Sequence, residues 1–123
     1  MPEIIGNSKN PNTLTNFFYE RVLKMKKFIL FKNSRRNLLE VNDAIINTIK
    51  IIKLYKNKNK IVNLLNKKFY TPLMIVKTFE YILNKKANFK FSNLKKGKWT
   101  LKENFFVSPK KNYLKKVLKI YYT

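Results

Sequence analysis

Lysine is the residue this sequence offers most freely for chemistry, and it comes in clusters. They are Lys24-Lys26-Lys27, Arg35-Arg36, Lys56-Lys58-Lys60, Lys67-Lys68, Lys85-Lys86, Lys95-Lys96-Lys98, Lys110-Lys111 and Lys115-Lys116. Any one of them alone is the ordinary solvated end of an element. Together they put cations at nearly every junction of the chain, with 28 Lys plus Arg against six Asp plus Glu and a net charge of +22 in 123 residues. Self-repulsion of that size opposes compaction unless counter-charge is present. The chemistry this implies is neutralisation of a polyanion: nucleic acid, an acidic protein or an anionic membrane surface. Charge on all sides, rather than along one recognition helix, favours RNA over DNA. The expected RNA contacts are Arg35, Arg36, Lys56, Lys58, Lys60, Lys85, Lys86, Lys95, Lys96, Lys98, Lys110, Lys111, Lys115 and Lys116, with Trp99 and Tyr113 as stacking platforms. The remaining aromatics lie on apolar stripes and read as core.

Other chemistries are poorly supplied. Cys and His are absent. Thiol nucleophiles, imidazole bases, disulfides and the usual zinc ligand sets go with them. The six carboxylates are scattered and form no close pair, so general acid–base work is not expected. The sequence therefore predicts no enzyme, no metal, no cofactor and no small-molecule substrate. No apolar run approaches the length of a spanning helix, so membrane insertion is not expected. Phe, Tyr, Met, Ile, Asn and Lys supply 74 residues and Lys outnumbers Arg 25 to 3. That is the signature of AT-rich codons and suggests an organelle genome. A mitochondrion is the expected location, with the chain organelle-encoded. Another organelle, or the cytoplasm of an AT-rich organism, is the alternative.

The elements that must carry these residues follow from period and punctuation. Residues 1–12 read as loop. From Thr13 the apolar positions Leu14, Phe17, Phe18, Val22, Met25, Phe28 and Ile29 repeat as on a helix, to about Lys32. Leu38, Val41, Ile45, Ile49 and Ile52 predict a second helix. Its start is either Asn37, in a capping box with Glu40, or Asp43 after an extended 38–42. A short helix is expected over 61–69. Thr71-Pro72 is the sharpest local signal, a capping hydroxyl followed by proline at the first helical position. The helix it opens should run to about Lys86. From Trp99 to Val107 the period drops to two, as on a strand with one buried face, after a turn at Lys95–Lys98. The tail from Ser108 fits either a helix with Leu114, Val117 and Tyr121 on one face or a return strand. The expected fold is α+β: about three core helices packed on a small antiparallel sheet or β-hairpin, plus an extra N-terminal helix. The expected division is an N-terminal extension with one amphipathic helix over 1–36 and an α+β domain with a C-terminal hairpin over 37–123.

In this order the blocks resemble the large-ribosomal-subunit protein twenty-two family, which sends a β-hairpin along the peptide exit tunnel. "KIVNLLNKKFYTP" is similar to that family's second helix and Thr-Pro start of the third, with Lys60, Leu65, Asn66, Thr71 and Pro72 on matching positions. "YILNKKAN" resembles the end of its third helix, with Asn88 matched. "WTLKENFFVSPKKNYLKK" resembles its strand, through Lys102, Glu103, Phe105, Pro109 and Lys115-Lys116. The likeness covers about residues 47–122, with Ser108 where the family has glycine and a shortened hairpin tip. It implies a structural constituent of the large ribosomal subunit near the polypeptide exit tunnel. The implied partners are large-subunit rRNA and neighbouring ribosomal proteins. A small basic DNA-binding protein is the alternative reading.

Overall fold

The computed structural model describes residues 2–56, 58–59, 61–93 and 104–123. In chain order they form β1 (Glu3–Ile5), α1 (Leu14–Leu23), β2 (Lys27–Phe31), β3 (Leu38–Glu40), α2 (Val41–Leu54), β4 (Asn63–Asn66), α3 (Pro72–Leu83), β5 (Asn88–Ser92), β6 (Asn104–Val107) and α4 (Tyr113–Tyr122). Helices and strands share the fold, so the α+β class stands. Its expected antiparallel sheet does not. The strands form three short parallel pairs: β1 with β3, β2 with β5, and β4 with β6.

Local signals explain most of the boundaries. Helix α1 stops at Leu23, well short of Lys32, because Met25 adopts a left-handed φ of 52° and the Lys26 amide closes back on the Arg21 carbonyl at 3.0 Å. The apolar run that follows is therefore strand. Phe28 and Leu30 point inward while Lys27 and Ile29 face solvent. The short helix expected over 61–69 is strand β4 followed by a turn. Helix α3 begins as the sequence indicates: the Thr71 hydroxyl accepts from the Met74 amide at 3.2 Å and Pro72 fills the first turn. It ends at Asn84, whose left-handed φ of 51° suits a short polar side chain. In α2 neither expected cap is used: the extended stretch is shorter than 38–42 and the helix starts at Val41. Residues 38–40 are β3, and Glu40 caps the helix by accepting from the Asp43 amide at 3.1 Å.

The expected hairpin is absent from the described residues. Strand β6 runs parallel to β4, and the segment after it is helix α4 rather than a return strand. The turn expected at Lys95–Lys98 and the strand residues 99–103 lie outside the described residues.

One apolar cluster unites the described chain. Ile5, Phe18, Val22, Phe28 and Leu30 pack with Leu38, Tyr70, Ile75, Val76, Phe79, Leu114, Val117 and Leu118. It draws on both sides of the division expected at residue 36. Helices α1 and α4 both pack on α3, and the rings of Tyr19, Phe79 and Tyr122 meet where the three join. Helix α2 instead touches β1, β3 and β4.

Two asparagines stitch β3 to β4. Asn37 Nδ2 donates to the Asn66 carbonyl at 2.8 Å, and the Asn66 amide donates back to Asn37 Oδ1 at 2.8 Å. Asn66 Nδ2 also reaches the Leu38 carbonyl at 3.0 Å, and its Oδ1 accepts from the Lys68 amide at 3.0 Å. Asn66 is fully buried, and these bonds are what make that burial tolerable. The same junction closes with reciprocal backbone bonds between Arg36 and Tyr70 at 2.7 and 2.8 Å.

Candidate functional site

That junction fixes one wall of a cleft lined by three segments of the chain. Its volume is about 600 Å³, within the range of small-molecule sites. Three segments build it. The turn after β4 gives Lys68 and Tyr70. The outer face of α3 gives Met74, Lys77 and Thr78, at helical spacing. The stretch leading into α4 gives Pro109, Lys110, Lys111, Asn112, Tyr113, Leu114 and Lys115. Asn112 holds a left-handed φ of 58°, which turns the chain from β6 into α4 and presents the two preceding lysines to the cleft.

The cleft is strongly cationic. Five of its lining residues are lysines. Lys77 is bridged to Glu80 at 3.1 Å, and Lys115 Nζ lies 3.9 Å from the centre of the Tyr81 ring. No ion pair engages Lys68, Lys110 or Lys111 among the described residues. Ammonium groups converging on a concave, partly apolar surface focus positive potential and suit an anionic ligand of phosphate type. Tyr70 is buried beneath it, and desolvation pushes its phenol above the ordinary value.

Two further acids, Glu40 and Asp43, are engaged by tyrosines rather than by the cleft lysines. The Tyr113 hydroxyl accepts from the Glu40 amide at 2.8 Å and donates to Asp43 Oδ2 at 2.7 Å. Burial, and then those two carboxylates, push it far above the ordinary phenol range. Tyr121 donates to Glu40 Oε1, which with burial and the surrounding acids takes its phenol up to about 12. Burial would raise the Glu40 carboxyl, but donation from Tyr121, Asn42 and the Asp43 amide outweighs it, and the carboxyl sits below its ordinary range. This knot ties α4 to the start of α2. Its hydroxyl from Tyr113 is thereby committed to structure.

Of the residues expected to bind RNA, the cleft gathers Lys110, Lys111, Tyr113 and Lys115. Others serve the fold. Arg36 bridges Glu3 at 3.2 Å, with its Nε buried and unbonded. Burial pushes the Glu3 carboxyl up although Arg36 pulls it down. Lys85 donates to the Leu23 carbonyl at 2.8 Å and so ties α3 to the end of α1. Arg35, Lys56, Lys58, Lys86 and Lys116 are exposed and lie apart from the cleft. Lys60, Lys95, Lys96, Lys98 and Trp99 lie outside the described residues. Lys68 and Lys77 are the cations that sequence reasoning left out. Lys68 stands among the basic clusters but not among the expected contacts, and Lys77 belongs to no cluster in the sequence.

Among the described residues no group of acids could hold a metal ion, and no helix is long and apolar enough to cross a membrane. Gly6 follows β1 directly, the place where a dinucleotide-binding turn would begin, but the connection to α1 holds no second glycine. With Gly6 and Gly97 as the only glycines, the sequence cannot spell the G-x-G-x-x-G cradle for a pyrophosphate.

Fold and cleft together define a small domain of parallel strand pairs and helices with a lysine-lined cleft. Solved structures similar to this fold include sugar-nucleotide enzymes. UDP-glucuronic acid 4-epimerase from Bacillus cereus in complex with NAD superposes with a TM-score of 0.67 at 18% identity, over 97% of this chain and 40% of that one. UDP-glucose 4-epimerase from Thermotoga maritima with UDP-glucose gives 0.66 at 16%, over 97% and 42%. dTDP-glucose 4,6-dehydratase from Bacillus anthracis in complex with NAD gives 0.67 at 15%, over 98% and 41%. At such identities the likeness is one of fold, and the chain spans about two fifths of the length of these proteins. No protein-family profile and no curated protein matches the sequence.

These findings overturn the ribosomal resemblance. The block "KIVNLLNKKFYTP" does not form two helices around Thr-Pro; its Leu64 and Leu65 lie in a strand paired with β6. The hairpin that would line an exit tunnel is replaced by a parallel strand and helix α4. The short apolar blocks matched because buried strands and helices share the same residues at that length. A place in the large ribosomal subunit, and rRNA and ribosomal proteins as partners, go with the resemblance. The structural neighbours support neither these nor the DNA-binding alternative. They are enzymes solved with NAD or UDP-glucose, so the expectation of no small-molecule substrate is corrected as well.

Proposed function

We propose that this chain is a nucleotide-sugar-binding domain, and that the lysine-lined cleft between the β4–α3 turn and the start of α4 receives the diphosphate. The observation that carries the reading is the convergence of Lys68, Lys110 and Lys111 on one concave surface, none of them ion-paired among the described residues, with the Lys68 ammonium 5.7 Å from the centre of the Tyr70 ring. The neighbours support the class of ligand, since one of them was solved with UDP-glucose. A diphosphate spans the distance between several ammonium groups, and the apolar patch offered by Met74 and Pro109 suits the less polar part of such a ligand. The proposal assigns recognition and no reaction. Hydride chemistry with NAD needs a dinucleotide cradle, which these 123 residues do not spell.

The test is calorimetric titration of the full chain with UDP-glucose, inorganic pyrophosphate and NAD at physiological salt. UDP-glucose should bind more tightly than pyrophosphate, NAD should bind weakly, and the double substitution Lys110→Ala/Lys111→Ala should weaken UDP-glucose by about tenfold or more, as expected for two charge-assisted contacts. Equal affinity for UDP-glucose and pyrophosphate, or indifference to the double substitution, would overturn the reading.

A further inference from the structure

Helix α2 turns its most apolar side to solvent. Ile45, Ile49 and Ile52 follow one another at spacings of four and three, and Ile46 stands beside them. Their exposures are 53%, 48%, 64% and 52%, and no residue of the helix is buried. Lys50 and Lys53 project from the same exposed side, and Lys56 follows the helix end. A solvated helix face normally carries the polar residues; here the apolar stripe and its cationic edge are both outward.

We propose that this face docks an acidic amphipathic helix of a partner protein. The isoleucine stripe recurs once per turn, so it matches apolar side chains at helical spacing on the partner. Lys50, Lys53 and Lys56 select flanking Asp and Glu, as charges beside an apolar seam set partner choice in paired helices. A second copy of this chain is the wrong occupant, because it would bring the same lysines and another +22 chain against the first. A membrane surface is the weaker fit. Interfacial helices present Trp, Phe or Leu, whereas β-branched isoleucine suits a helix–helix seam. The stripe shares no residue with the cleft, so the inference does not rest on the nucleotide reading.

The probe is a fluorescent synthetic helix of about 20 residues, long enough to hold its shape, with Leu along one face and Glu on both flanks. A scrambled peptide of the same composition is the control. Anisotropy with the full chain should show the designed helix binding about tenfold or more tighter than the scramble. Ile49→Ser/Ile52→Ser should abolish that margin while circular dichroism remains native. Lys110→Ala/Lys111→Ala should leave it intact. The proposal is overturned if the designed helix fails to bind, if both peptides bind alike, or if the isoleucine variant binds as the parent does. It is also overturned if sedimentation equilibrium shows a dimer that the variant loses. Flotation with vesicles of equal parts phosphatidylcholine and phosphatidylserine, lost in the variant, would reassign the face to membrane.

Discussion

Helices α2 and α3 are near twins in sequence design and opposites in environment. Each is amphipathic, of 14 and 12 residues, and begins at a side-chain cap. Yet Ile75, Val76 and Phe79 of α3 are sealed at 0% exposure, while the isoleucines of α2 stand in solvent. Periodicity marks which side of a helix is apolar; only the neighbours decide whether that side is inside. α3 lies between α1 and α4, which close over its stripe. α2 rests on the edge strands β1, β3 and β4 and turns toward them its mixed side, where Ala44, Asn47 and Ile51 are half-buried.

Substitutions should expose this contrast as a graded series, read by denaturant unfolding. Phe79→Ala should cost the most, about 3–5 kcal/mol, because it empties the junction of three helices and removes the ring that Tyr19 and Tyr122 pack on. A loss under about 1 kcal/mol would mean that α3 is not the central helix. Glu40→Ala should cost about 2 kcal/mol, since it strips the cap from α2 and leaves Tyr121 without its acceptor. Glu40 is also the cap that titrates. Its folded carboxyl lies below the ordinary 4.5, so its contribution is complete above that value and is lost as pH falls through the lower folded one. Acid should therefore loosen α2, and Glu40→Ala should flatten that part of the acid profile; an unchanged profile would remove Glu40 from the account. Thr71→Ala should cost about 1 kcal/mol and leave the acid profile alone, because a hydroxyl cap does not ionise. Ile49→Ala should shift stability by no more than about 0.5 kcal/mol, its side chain being exposed and alanine the better helix former. A loss of 2 kcal/mol or more would show that the stripe is covered within the chain.

The parts of the fold legible in the sequence are those with local punctuation. Thr71-Pro72 located α3, and the tail's Leu114 and Val117 proved to lie on the buried side of α4. The parallel strands were not legible in the same way. "KFILF" and "NLLN" hold only four and two consecutive apolar residues. At that length a buried strand has no period to distinguish it from a helix. The antiparallel hairpin was inferred from alternation near residue 105, but alternation tells only that one face is buried. Strand direction depends on a partner some forty residues away. The cleft was half legible for a related reason. Lys110, Lys111 and Lys115 share a stretch of sequence with one another, whereas Lys68 joins them from the turn that Asn37 and Asn66 pin and Lys77 from α3, which packs on α4.

The strand pairing carries a consequence for how the chain reaches its fold. Phe28 finds Phe89, Glu3 finds Leu38 and Leu64 finds Phe105, so no pair is local. Each needs a long loop to close before any ladder bond rewards it. Helices can flicker in early, but the sheets should arrive late, on the slow side for a chain of this size. On the ribosome β2 would emerge well before β5, its edge and Ile29 open until nearly three quarters of the chain has been made. Lys26 and Lys32, which flank it, and Lys27 at its start then act as guards, their charge keeping an unpaired apolar strand from joining that of another nascent chain.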